Sequence, residues 1–235
     1  MRGTEPVVRV ARVTKAYGAL RPLRIEELTL LPGERVSIGG IDAPGAELLV
    51  NLVTGASLPD DGDVHTFGRR TAEITSADEW LAWLDHFGIV SERGVLLEEA
   101  TLLQNLALPF SLEIDPVPPD IREQASALAR ECGMPIEELG TPAAALSPDL
   151  RIRAHLARAI ALGPRLLIIE HPTGRVPESA REALARDIAR VCEARALPAL
   201  VITNDDAFAA VLATRSLTLE GATGRLRPVR KRWFG

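Results

Sequence analysis

The stretch Arg35-Val36-Ser37-Ile38-Gly39-Gly40-Ile41-Asp42-Ala43-Pro44-Gly45-Ala46-Glu47 decides the fold. Pro32-Gly33-Glu34 turns the chain, and the apolar run Arg35 to Gly39 then reads as a short buried strand. Gly40 to Gly45 reads as a loop. Ala46 to Thr54 reads as a helix with Gly55 able to cap its end. A strand passing through a glycine-bounded loop into a helix is one unit of a parallel α/β sheet.

On the N-terminal side, Val7 to Val13 alternates like a strand and Arg24 to Leu31 is a second. On the C-terminal side, Pro59-Asp60-Asp61-Gly62 turns into a strand over Asp63 to Phe67. The turn spacing predicts that antiparallel strands dominate the first ~70 residues. Ser76 with Glu79 predicts a capped helix through Phe87, followed by a strand over Gly88 to Ser91. Leu96 to Arg158 reads as helical, with a helix over Asp120 to Cys132 after Pro119 and with Gly133 past its end. Ser147-Pro148-Asp149 starts another helix, with Ser147 at the N-cap. Arg165 to Glu170 is a strand, Glu178 to Ala196 a long amphipathic helix, and Leu200 to Thr203 and Ser216 to Leu219 are further strands. The expected architecture is α/β: a mainly parallel sheet, an antiparallel N-terminal part and an inserted helical block.

Composition narrows the function. The 235 residues carry a formal net charge of −5, which argues against general nucleic-acid binding. Hydrophobic residues make up 46 %, enough for a sizeable core. Cys132 and Cys192 lack metal or redox spacing, as in a reduced cytosolic chain. Met1 to Pro6 shows no signal-peptide pattern, and no apolar run is long enough to span a bilayer. Of 27 basic residues only Lys15 and Lys231 are lysine.

The order of several short motifs resembles the ATP-binding cassette (ABC) family along nearly the whole chain. Val13-Thr14-Lys15-Ala16-Tyr17-Gly18 looks like its opening segment, with Tyr17 at the adenine-stacking position. Asn51 to Gly55, Pro59 to Val64, Thr101 to Pro109, Ala154 to Ala161 and Leu166 to Thr173 resemble its later segments. The resemblance implies a P-loop NTPase-like (RecA-like) mixed sheet in a single nucleotide-binding domain. Residues 1–92 and 159–235 would form the core lobe and about 93–158 the helical subdomain. It further implies a subunit that docks a membrane permease from the cytoplasm and works as a homodimer or heterodimer.

The chemistry that the family needs is not there. A P-loop, G-x-x-x-x-G-K-[ST], wraps phosphates in backbone N–H groups, pairs a lysine with them and binds Mg²⁺ through a hydroxyl. Here Gly40 and Gly45 remain, but Ala46 stands for the lysine and Glu47 for the hydroxyl. Pro44 removes one donor. A lost charged hydrogen bond costs about 1.5–3 kcal/mol. An uncompensated carboxylate 4 Å from a phosphate adds about 4 kcal/mol at an effective dielectric of 20. Two accounts of the loop are open. Asp42 and Glu47 can be helix-capping chemistry, or one carboxylate can occupy the anion site.

The other positions differ too. The Walker B aspartate is Glu170, still able to reach a metal, and the general-base position is His171. The Q-loop glutamine is Glu92. The D-loop is Gly174-Arg175-Val176-Pro177, without its aspartate. The switch histidine is Asn204. The signature is Leu146-Ser147-Pro148-Asp149-Leu150, without its glycines. Ser147 is accounted for as a cap, and Tyr17 is open between an adenine platform and packing. His65, His86, His155, Trp80 and Trp83 read as packing or surface residues. The tail Arg227 to Phe234 reads as solvated or as a contact for anionic lipid.

The expectation is therefore a permease-bound cassette with weak or absent ATP and Mg²⁺ binding and no resident metal. The alternatives are an active ATPase using Glu170 and His171, and a soluble scaffold without a permease. Gln104 to Pro109 resembles exporter-type cassettes.

Overall fold

The computed structural model describes residues 5–18 and 20–229. Two sheets form. The first is antiparallel, in the order β2-β1-β4-β5, from β1 (Val8–Lys15), β2 (Leu23–Leu30), β4 (Asp61–Thr66) and β5 (Arg69–Arg70). The second has six strands in the order β10-β9-β3-β8-β7-β6. Its parallel body is β3 (Arg35–Gly39), β6 (Phe87–Ser91), β7 (Leu166–Glu170), β8 (Ala199–Ile202) and β9 (Arg215–Glu220). β10 (Arg225–Pro228) is antiparallel on the edge.

The apolar strands explain this order. β7 and β8 are buried at every residue, as strands covered on both faces must be. β1 and β2 alternate, so one face meets the core. α1 (Ala43–Thr54) lies between the two sheets, where Leu49, Leu52 and Val53 are fully buried with Val10 and Ile38. Gly55 ends it at φ 75° with its N–H on the Leu52 carbonyl.

The expected helical block forms as α3 (Leu102–Ala107), α4 (Pro119–Glu131) and α5 (Pro148–Ile160), with two 3₁₀ turns between the last two. Its core includes Leu102, Leu106, Leu128, Met134 and Leu156, continuous with the sheet face carrying Val90 and Ile169. Asn105 is buried there. It accepts from the Leu97 N–H and donates to the carbonyls of Leu97, Ala100 and Thr101. α6 (Glu178–Ala194) covers the same sheet face. Cys132 and Cys192 are buried and unpaired, and burial pushes both thiols up to about 12.

Several boundaries differ from the sequence reading, each for a local reason. α1 starts at Ala43, not Ala46, because Asp42 is the N-cap. α2 (Ala77–Leu84) stops short of Phe87, which opens β6 and packs with Phe67 and Trp83. At its start Ser76 caps the Glu79 N–H, but the Glu79 carboxylate accepts from Thr75, so the box is half closed. The full capping box is Thr101 with Gln104, at α3. Ser147 is at an N-cap, yet its hydroxyl donates to Asp149 rather than accepting a helix N–H. α7 (Asp206–Leu212) and β10 were not expected. Arg227 and Pro228 are therefore ladder residues, not a solvated tail. Arg230 to Phe234 lie outside the described residues.

Candidate functional site

The C-terminal ends of β3, β7 and β8 converge on one edge of the parallel sheet, where crevices of such folds take ligands. β3 delivers Gly40, whose φ of 78° and closeness to Leu219 demand glycine: a Cβ there would lie 2.7 Å from the Leu219 carbonyl oxygen. The chain then reaches Asp42, whose backbone is extended and whose carboxylate accepts from the Gly45 N–H at 2.9 Å. The Asp42 carbonyl takes the Ala46 N–H at 2.8 Å. A Cβ on Gly45 would sit 2.7 Å from the Asp42 carboxylate and 3.4 Å from the Tyr17 hydroxyl. Gly40 is thus fixed by its backbone, whereas a side chain at Gly45 would push aside the Asp42 carboxylate.

Tyr17 is half-buried and donates to Asp42 at 3.4 Å. Burial and the adjacent Asp42 charge raise the Tyr17 phenol above its ordinary range. Asn204 follows β8 and spans the loop: its Oδ1 accepts from the Gly40 N–H at 2.7 Å and its Nδ2 donates to the Ile41 carbonyl at 3.1 Å. Ala46, at the lysine position, is fully buried.

Glu47 does not face the loop as an unpaired charge. Its carboxylate pairs with Arg93 at 2.7 Å, and the other arm of the same guanidinium reaches Glu170 at 2.5 Å. Glu170 ends β7 with its side chain only 6 % exposed. Glu92, the residue before Arg93, pairs with Arg175 at 3.4 Å, so the positions aligned with the Q-loop and D-loop touch. His171 adopts φ 42°, in the left-handed region that costs a non-glycine residue of order 1 kcal/mol. Its Nε2 is buried without a hydrogen-bond partner among the described residues. His171, Thr173, Arg181, Asn204 and Asp205 share one depression beside this edge.

Tyr17, Asp42 and Gly45 thus come together through direct bonds, Gly40 and Asn204 through another, and Glu47 and Glu170 through Arg93. Ser147, Pro148 and Asp149 do not join them. They sit at the start of α5, where Asp149 accepts from Ser147 at 2.7 Å and lies 3.7 Å from Arg153. Arg93 was missed in the sequence. Its only signal there is charge: a cation beside Glu92, with acids at the positions aligned with the P-loop hydroxyl and the Walker B aspartate, Glu47 and Glu170.

A sequence profile described as ABC transporter matches residues 23–174. The lipoprotein-releasing system ATP-binding protein LolD of Pseudomonas syringae pv. tomato is 30 % identical over 200 residues, covering 85 % of this chain and 86 % of that protein. The aliphatic sulfonates import ATP-binding protein SsuB of Ralstonia nicotianae is 29 % identical, over 93 % of this chain and 70 % of that one. The fold is that of the dimeric ATP-binding cassette MJ0796 bound to ADP and Pi, with TM-score 0.75, 22 % identity and coverage of 97 % and 100 % of the two chains. It is equally that of cbiO1 from Clostridium perfringens, with TM-score 0.78, 16 % identity and coverage of 95 % and 87 %. A profile spanning well over half the chain, together with this fold and this ordered set of strand-end motifs, shows that the chain belongs to the ABC transporter family, among its ATP-binding subunits.

Proposed function

We propose that this subunit is a pseudo-ATPase, kept for its shape and docking surfaces rather than for ATP hydrolysis. One observation carries the reading: the loop's helix-start donor is already taken by Asp42, a carboxylate of the same chain. A triphosphate needs that position for its own anionic oxygens. The missing lysine at Ala46 weakens binding by about 1.5–3 kcal/mol, tenfold or more. The repulsion from Glu47 is offset, because Arg93 neutralises it. These residues do not fit a nucleotide carrying magnesium, since a guanidinium stands between the two acids nearest a metal position. At the signature, Pro148 offers no N–H and Asp149 adds a negative charge, which supports an impaired composite site as well.

The partner is an integral membrane permease subunit, and the assembly pairs this chain with a second cassette, identical or not, on the cytoplasmic face. Relatives named for a lipoprotein-releasing system and for sulfonate import support a transport role without choosing its direction. None of the described helices is long and apolar enough to cross a membrane.

The test is equilibrium titration of the purified chain with a fluorescent ATP analogue and Mg²⁺, followed by a turnover assay. Affinity weaker than millimolar and no phosphate release are expected. Micromolar binding with turnover abolished in His171→Ala would overturn the proposal in favour of an ATPase built on His171. Recovery from native membranes without any integral membrane protein would instead favour a soluble scaffold.

A further inference from the structure

We propose that Arg93 is a built-in cation that takes the place of a ligand, fastening the first turn of α1 to the end of β7. The proposal rests on the reading of this edge as one that no longer turns over nucleotide. Glu170 is a nearly buried carboxylate, and a buried charge is tolerated only when paired. Arg93 is its ion-pair partner among the described residues, and the same planar fork reaches Glu47 on α1. A guanidinium suits this two-acid bridge because its donors lie in one rigid plane.

The segment that carries Arg93 is anchored beyond the bridge as well. Arg158 donates to the Val95 carbonyl at 2.7 Å, and Arg151 grips Glu98 with both arms, at 3.0 and 2.5 Å. Leu97 is held by Asn105 through its N–H and its carbonyl. Residues 92–98 therefore run from α1 and β7 at one end to α3 and α5 at the other, with a partner at almost every step. The segment connects the sheet to the helical block, and Arg93 is its grip on the sheet.

The test uses the full chain without nucleotide. Arg93→Met should lower Tm by roughly 5–10 °C, because it strands the Glu170 charge. It should also speed amide exchange across residues 92–98 at least tenfold, leaving β1 unchanged. Adding Glu170→Gln to that variant should recover part of the lost Tm, which loss of mere packing would not do. Glu47→Gln, at a half-exposed position, should fold and raise exchange over 92–98 by a smaller factor. Arg93→Met melting with the unaltered chain, a double variant no better than the single one, or unchanged exchange in Glu47→Gln would each overturn the role. Because nucleotide is absent throughout, ATP binding by the unaltered chain would overturn the pseudo-ATPase reading without touching these results.

Discussion

The helical block and the strand-end edge of the sheet differ in what holds them. The block is built on apolar packing, with Leu102, Leu106 and Leu156 fully buried and Asn105 fully bonded. The edge is built on polar contacts within the chain: Asp42 on Gly45, Asn204 on Gly40 and Ile41, and Arg93 on Glu47 and Glu170. Apolar packing holds the ABC-like shape of the block, whereas the positions aligned with the family's nucleotide motifs bond to one another. The two regions are therefore held by different forces.

The sharpest way to break that contrast is in the block. Leu106→Ala removes a fully buried side chain from a close-packed core and should cost about 3–5 kcal/mol, read from the urea midpoint. A loss below about 1 kcal/mol would mean that the block is loosely packed and not the rigid partner in the comparison.

A pH titration probes the same region. Burial, and after it the charges of Arg158 and Arg151, hold His155 on α5 down to about 4. An unfolded histidine titrates near 6.5. Between those values the unfolded chain binds more protons, so the stabilisation is complete above about pH 6.5 and is lost as pH falls towards 4. The full change is about 3 kcal/mol, and His155→Gln should flatten the profile of Tm against pH over that range. An unchanged profile would place the acid sensitivity elsewhere.

At the partly exposed contacts of the edge, as distinct from the nearly buried Glu170 charge, the expected effects are smaller. Asp42→Ala removes the α1 N-cap and should cost about 1 kcal/mol in thermal melts. A cost matching that of Leu106→Ala would erase the distinction between the two regions.

Much of the fold was legible because it rests on local patterns. The buried runs of β3 and β7, the Gly55 cap and the Pro119 helix start each announce themselves within a few residues. α7 was hidden because it is only seven residues long and its start signal is a single acid, Asp205, which caps the Phe208 N–H. β10 was hidden because the chain from Arg227 onward read as a basic tail. Arg225 and Arg227 lie on β10. Their partners, Glu26 and Glu220, become visible only once the sheet edge is assembled. The site was half legible. Substituted positions could be read singly, but Arg93 meets Glu170 from 77 positions away, and no local pattern encodes that. Glu47 looked like an unpaired charge for the same reason.

The Asn204 amide has an evolutionary consequence. It uses one donor and one acceptor to lace Gly40 to Ile41. A substitution to histidine at this position would forfeit both laces at once, because an imidazole cannot present a carbonyl oxygen and an amide N–H side by side. Any sequence drifting that way passes through a looser loop, and the amide works as a ratchet that holds the position as asparagine.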